Sequence, residues 1–307
     1  MAGHPPTDAA GIGRALSETF ADLGEVAVTR ILGSGFNSIA VETDAGAVFR
    51  IAKTEGTAER FAKERRILPL LRSRLPVAVP EPRWFTERSA RFPFGVMGYP
   101  LLAGRSLLPE LFRPDTTPIL AAQVADVLLA LHRLPPATVA ALALPGPAER
   151  PTHYQTLRDE TLRALSERLR QPEFQRIERW WDSFLSDDRL TQFEAVLSHG
   201  DFWFANMLVD DGGSRLVAIV DWEHAAVGDP ALDFSTLLHL GEDFTARVIA
   251  AYRQAGGVFD DDDRYRMRRL WELRHFYGVL FSVRFKDERE MEDSIRKLRA
   301  GPIFDAL

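Results

Sequence analysis

The sequence predicts an α+β fold in two lobes, a small antiparallel β lobe followed by a larger, mainly helical one. Three observations carry this. The chain has 307 residues, room for two lobes at roughly 150 residues per domain. Its apolar residues recur with the short period of strands through residue 97 and with the 3.6 period of helices after residue 105. Between the two runs Gly98–Gly104, a stretch with Pro100 and Gly104 and no period. The expected partition is 1–97 for the β-rich lobe, 98–104 for a hinge linker and 105–307 for the helical lobe.

Each element follows from its local pattern. Val26–Leu32 alternates loosely and reads as a strand. Gly35-Phe36-Asn37-Ser38 makes a glycine-containing loop into a second strand, Ile39–Thr43. Asp44-Ala45-Gly46 is a turn signal, and the continuous apolar run Ala47–Ala52 closes a hairpin. Thr57–Leu71 puts Phe61, Ile67, Leu68 and Leu71 on one helical face, and the proline-rich stretch 75–82 ends it. Arg83–Thr86 and Phe94–Met97 are short strand candidates, so one helix is expected against the sheet of this lobe. Pro118–Leu134 is apolar on one face, 135–152 reads as an Ala/Pro-rich loop, and Tyr154–Leu185 as one amphipathic helical region. Met207–Val209 and Arg215–Val220 flank Asp210-Asp211-Gly212-Gly213, a hairpin turn signal. From Asp233 to about Leu298 the pattern is helical again.

Composition excludes several classes. There is no cysteine, hence no disulfide, thiol nucleophile or cysteine-ligated metal, which suits a reducing compartment. Met1–Gly13 lacks a basic segment followed by an apolar one, so no secretory signal is expected. No apolar run nears the roughly 20 residues that span a bilayer. A soluble, cytoplasmic monomer without a membrane partner is expected. The net charge of −6 argues against nucleic acid as a partner, which needs a basic footprint. The acid excess is concentrated: residues 101–230 carry 12 basic and 19 acidic residues, a net of −7. Solvated helix faces account for such an excess. So does a pocket that attracts a cationic substrate.

The chemistry-bearing stretch is His199-Gly200-Asp201-Phe202-Trp203-Phe204-Ala205-Asn206, leading into a strand. Asp221-Trp222-Glu223 follows the partner strand. An acid, an amide and a second acid are thus expected at one hairpin mouth. Mg²⁺ takes hard oxygen ligands, few from protein and the rest from phosphate and water. Phosphoryl transfer needs a carboxylate to orient a hydroxyl and metal to neutralise the phosphates.

His-Gly-Asp-x₄-Asn followed by Asp-Trp-Glu resembles the aminoglycoside phosphotransferase family, whose members share the protein-kinase-like fold. Gly228-Asp229-Pro230-x₂-Asp233-Phe234 matches the family pattern as well. The resemblance implies Asp201 as catalytic base, Asn206 and Asp221 as Mg²⁺ ligands, and ATP or GTP as phosphoryl donor. It gives His199 and Asp233 supporting roles, Asp233 tying down the catalytic loop. Gly35, Asn37 and Ser38 correspond to the loop that covers the nucleotide, where glycine allows the turn and backbone N–H groups face phosphate. Arg50 stands where the family carries a strand Lys or Arg, and Glu64 where it carries the partner acid. Protein kinases use Lys there; Arg keeps the charge and binds phosphate bidentately. Lys53 competes for this role, but a strand turns residues 50 and 53 to opposite faces. Met97, Gly98 and Tyr99 correspond to the hinge whose backbone meets the purine edge. Glu223 is a candidate contact for a cationic acceptor or for metal-bound water.

Other features take structural readings. Trp180-Trp181 is packing, and Asp260–Asp263 leads into a helix N-cap. His132, His224, His239 and His275 lack metal-ligand spacing. A protein kinase is disfavoured, since there is no Asp-Phe-Gly, no Ala-Pro-Glu and no activation loop between Asp229 and Asp233. The expected function is a small-molecule kinase acting on a hydroxyl of an antibiotic, an aminoglycoside first. The strand and loop around Gly35 and Arg50 look closest to the 2″-aminoglycoside and macrolide branches. The alternatives are a macrolide or metabolite-alcohol kinase and a nucleotide-binding pseudokinase. Paired glycosidase carboxylates have no support beyond spacing.

Overall fold

The structure, a computed structural model, describes residues 5–35 and 37–305. Phe36, inside the expected glycine loop, lies outside them, as do the first four residues of the stretch read for a signal. The chain divides into two compact units, Met1–Leu131 with Phe204–Ala225 and His132–Trp203 with Ala226–Leu307.

The first unit is built on a five-stranded antiparallel sheet. Its strands are β1 (Val28–Ser34), β2 (Ser38–Thr43), β3 (Ala47–Ala52), β4 (Trp84–Thr86) and β5 (Val96–Pro100), in the order β1-β2-β3-β5-β4. The central strand β3 is buried along its whole length, which explains its continuous apolar run. Phe49 and Ile51 face one core with Ile39, Val41 and Val96. Val48 and Ala52 face a second core with Phe61, Met97 and Tyr99. Alternation puts Arg50 on that second face.

Two helices cover the sheet, where one was expected. Helix α1 (Ala9–Thr19) brings Ile12, Ala15 and Leu16 into the first core. Its signal is short: an Asp8 cap that accepts from Gly11 N at 2.8 Å, then three apolar residues at helical spacing. Helix α2 (Glu55–Arg74) is longer than expected and carries Pro69 inside. Thr54 caps it by accepting from Thr57 N. Thr57, Phe61, Glu64, Leu68 and Leu71 are buried on one face, three and four residues apart.

The expected linker begins later than the sequence suggests. Gly98, Tyr99 and Pro100 belong to β5, with Met97, Gly98 and Tyr99 in register against Arg50, Phe49 and Val48. The Gly98 carbonyl accepts from Arg83 N at 2.9 Å. Glycine reads as a linker residue, yet here it makes room for an aromatic ring: a Cβ at Gly98 would lie 2.2 Å from Phe49 Cε1. Gly98→Ala therefore costs about 1–3 kcal/mol by overpacking. Denaturant unfolding checks this, and Phe49→Leu in the same chain recovers part of the loss.

The unit is completed by β6 (Arg105–Ser106), by α3 (Thr117–His132), whose last residue passes into the second unit, and by the hairpin of β8 (Met207–Val209) and β9 (Leu216–Ile219). The order β6-β8-β9 makes a three-stranded sheet. Gln123 Oε1 on α3 accepts from Leu216 N at 2.7 Å.

The second unit is helical: α4 (Pro136–Ala140), α5 (Arg150–Leu165), α6 (Gln171–Leu185), α7 (Ala231–Leu237), α8 (Glu242–Gln254), α9 (Asp261–Glu272), α10 (Arg274–Phe285), α11 (Glu288–Arg299) and α12 (Pro302–Asp305). Strands β7 (Val196–Ser198) and β10 (Ala226–Gly228) form a small antiparallel ribbon. The expected loop 135–152 holds α4 and the start of α5. The single helical region 154–185 is two helices, α5 and α6, with a break between them. Trp180 and Trp181 pack with Phe184 and Phe276, ring centroids 4.8–5.8 Å apart, which bears out the packing reading. Asp260 caps α9 in a reciprocal box with Asp263, 2.9 Å each way. None of the described helices is long and apolar enough to cross a membrane.

Candidate active site

Arg50 stands at the centre of a buried charge cluster in the first unit. Its Nη1 donates to Glu64 Oε1 at 2.7 Å, and its Nη2 donates to Glu223 Oε2 at 2.5 Å. Asp221 Oδ1 is 2.8 Å from the same Nη2. The guanidinium lies over the Phe61 ring, 5.2 Å from its centroid. Strand alternation aims Arg50 at α2, and the helical spacing of Phe61 and Glu64 aims both side chains back at it. Burial opposes the charge on Arg50, but Asp221 and Glu64 outweigh it and hold the guanidinium above its ordinary value. Burial pushes Glu64 up to about 7 against the pull of Arg50.

The hairpin register sets the next two residues side by side. Met207 pairs with Ile219, so Asn206 and Val220 come next, joined by Val220 N–H to Asn206 C=O at 2.9 Å. Asp221 follows at once. It is one of three non-glycine residues with positive φ among the described residues, at φ 63° and ψ 65°, a left-handed conformation that costs about 1–3 kcal/mol. Its Oδ1 is buried and ion-paired with Arg50 Nη2, and Glu64 Oε2 is a buried oxygen that accepts no hydrogen bond among the described residues. Glu64, Asp221 and Glu223 each offer an oxygen within 4.8 Å of the others. Three carboxylates face one guanidinium, and one of them has an oxygen that accepts no hydrogen bond among the described residues; these are hard oxygen ligands of the kind Mg²⁺ takes. The strain gives a stability prediction. Asp221→Ala and Asp221→Gly both remove the carboxylate, but glycine also removes the αL penalty. The glycine variant is expected to be more stable by about 1 kcal/mol, read as paired denaturation midpoints.

The loop carrying Asp201 belongs to the second unit, and Asp233 ties it down. The Asp233 carboxylate accepts from His199 N at 3.0 Å and from Gly200 N at 2.9 Å. His132 Nε2 lies 3.2 Å from the same group. Gly200 has φ 80°, so its amide can turn toward the acid without Cβ strain. His199 is buried, and its Nδ1 accepts from Asp201 N at 3.2 Å, which places the imidazole proton on Nε2. Thr236 Oγ1 donates to Phe202 C=O at 2.8 Å. Asp201 itself is half-buried.

At the glycine loop, Gly35 N donates to Ser38 C=O at 3.1 Å, and Ser38 pairs with Ala52. Lys53 turns outward: its Nζ donates to Ser34 Oγ at 2.9 Å and to Gly35 C=O at 2.7 Å. Arg50, not Lys53, is the cation in the buried cluster. Met97 and Tyr99 are buried in β5 with their backbone in the sheet. Glu223 does not face open solvent. It is buried against Arg50, Arg60 and Asn37. Two residues of α2 escaped the sequence reading. Arg60 Nη1 reaches Glu223 Oε1 at 3.2 Å. Lys63, which burial pulls down to about 8, donates to Ala225 C=O at 2.8 Å. They stand four and one residues before Glu64, so the shared helix face is the signal that could have found Arg60.

The sequence signature of the phosphotransferase enzyme family matches residues 28–270. The chain belongs to that family and has its kinase-like α+β fold. The viomycin phosphotransferase of Streptomyces vinaceus is 30% identical over 115 residues, 36% of this chain and 39% of that protein. Among solved structures, the GDP and kanamycin complex of APH(2″)-IIIa matches with a TM-score of 0.79 at 23% identity, covering 94% of this chain and 96% of that one. A type I macrolide 2′-phosphotransferase matches with a TM-score of 0.67 at 21% identity, covering 96% and 98%.

Proposed function

We propose that the protein is a magnesium-dependent small-molecule kinase that transfers the γ-phosphoryl group of ATP or GTP to a hydroxyl of an antibiotic, an aminoglycoside first. The observation that carries the reading is the buried Arg50–Glu64–Asp221 cluster beside Asn206, in a chain of the phosphotransferase family. Arg50, braced by Glu64, holds the α- and β-phosphates. The backbone of Gly35, Asn37 and Ser38 covers the phosphate tail. The purine meets Met97 and Tyr99, and its edge pairs with backbone beyond the Leu101 N–H, since that group and the Gly98 carbonyl are taken. Asn206 and Asp221 hold Mg²⁺, which when bound neutralises phosphate charge. Asp201 accepts the proton of the acceptor hydroxyl, whose oxygen forms a new bond to the γ-phosphorus. The bond to the β–γ bridging oxygen breaks, leaving a nucleoside diphosphate and a phosphate ester. His199 and Asp233 keep the Asp201 loop in shape. Residues 1–97 act as nucleotide lobe, 98–104 as hinge and 105–307 as acceptor lobe, in a cytoplasmic monomer.

The test is a mass-shift screen with ATP and GTP against aminoglycosides, viomycin-type peptides, macrolides and metabolite alcohols. One phosphoryl group gained by an aminoglycoside supports the reading. Nucleotide binding without transfer to any acceptor overturns it in favour of a binding protein. The net −7 of residues 101–230 supports a cationic acceptor, whose KM should climb with salt because screening acts over about 10 Å at 0.1 M. A flat salt response shifts the acceptor to a macrolide or a neutral alcohol.

A further inference from the structure

The Glu223 carboxylate collects an unusual number of donors for a group that transfers no proton in the proposed reaction. Arg50 Nη2 reaches it from β3 at 2.5 Å and Asn37 Nδ2 from the glycine loop at 2.8 Å. Arg60 Nη1 reaches it from α2 at 3.2 Å and His224 Nε2 from its own neighbour at 3.3 Å. Glu64, one shell away, has Arg50 on one oxygen and no donor on the other among the described residues. Arg50 Nη2 also lies 2.8 Å from Asp221 Oδ1, but only Glu223 is met by Arg50, Arg60 and Asn37 together. Two guanidiniums and an amide from three separate elements, aimed at one point, are what an anion with several oxygens requires. The carboxylate is a short acid on a flexible stem, and the Arg60 side chain is 37% exposed. Arg60 can turn in solvent, and the Glu223 carboxylate can turn away by rotation about its own side-chain bonds.

Resting on the kinase reading, we infer that Arg60 is a further phosphate-binding residue and that Glu223 is a built-in placeholder for the nucleotide's phosphate tail. In the ligand-free chain Glu223 neutralises Arg50 and Arg60 and holds Asn37 of the glycine loop. An incoming polyphosphate takes over these donors and displaces the carboxylate, so that Arg50 and Arg60 are never left facing no anion. Glu223 then competes with the nucleotide. Its removal should tighten binding, the opposite of what a metal or acceptor contact does.

The experiment measures the Kd of ATP, GTP and inorganic tripolyphosphate in EDTA, by calorimetry on the full chain. Glu223→Gln is expected to tighten all three about tenfold, the size of one charge-assisted hydrogen bond. Arg60→Ala in the same background should undo the gain, and Arg60→Lys should restore part of it. Glu223→Asp, one methylene too short to reach both arginines, should tighten binding as well and serves if the glutamine variant does not fold. A nucleotide-induced rise in melting temperature that is larger in Glu223→Gln than in the parent chain is the second readout. Equal or weaker binding by both Glu223 variants, or an Arg60→Ala variant that binds like its background, overturns the inference and leaves the kinase reading intact. A parent chain that binds no nucleotide even with Mg²⁺ overturns the kinase reading, and the placeholder with it.

Discussion

Asp201→Asn is expected to lower kcat by about 10²–10⁴-fold, the usual contribution of a general base, while the nucleotide Kd stays within twofold or so. The structural argument for a clean variant is that the loop is shaped by its backbone. His199 N–H and Gly200 N–H end on Asp233, and Asp201 contributes its amide N–H to His199 Nδ1. None of these bonds uses the Asp201 carboxylate. Asparagine keeps the volume and removes the base, and a melting temperature matched to the parent is the control that assigns the loss of kcat to chemistry. Near-parental turnover on the true acceptor would remove Asp201 from the mechanism and move the protein toward a nucleotide-binding module.

The parts of this architecture that a reader of the sequence could reach are those set by short-range rules. The apolar run Ala47–Ala52 makes a central strand because both its faces are buried. Alternation then assigns Arg50 to the α2 face, and a helical repeat brings Glu64 to meet it at 2.7 Å. The hairpin turn at Asp210–Gly213 fixes the register that sets Asn206 next to Asp221. Asp233 as an anchor of the loop at His199 and Gly200 is reachable only through the family resemblance, because the amides it accepts from stand 34 and 33 residues away.

What escapes are contacts with no local signature. Arg60 and Lys63 meet Glu223 and Ala225 across 163 and 162 residues of chain, and nothing at either end announces the partner. Gly98 misleads for a related reason. Its meaning is the Phe49 ring on the adjacent strand, so a residue that normally signals a loop sits inside a sheet. Helix α1 has only Ile12, Ala15 and Leu16 to bury, too few to stand out from a terminal segment. Charge counting is blunt in the same way. Asp229 pairs with Arg266, Glu173 with Arg299 and Asp221 with Arg50, all cations outside residues 101–230. The net of −7 therefore overstates the field an acceptor meets, and the salt response is the direct measure of what remains.

Asp221→Asn is expected to act on binding before chemistry. It removes one of the charges around Arg50, whose Nη2 is 2.8 Å from Asp221 Oδ1. A hard divalent cation prefers a carboxylate to an amide, so Mg²⁺ and nucleotide should weaken together, by about tenfold or more for a lost charge-assisted contact. Added Mg²⁺ should recover part of the loss, which distinguishes this variant from Asp201→Asn, where Mg²⁺ should recover nothing. Asparagine also tolerates the left-handed backbone at this position, so the fold should survive the exchange. The two outcomes separate cleanly in one titration of kcat and nucleotide KM against Mg²⁺. If Asp221→Asn loses kcat with an unchanged Mg²⁺ requirement, the cation is held elsewhere. The Glu64 and Asp221 carboxylates would then serve only to hold Arg50.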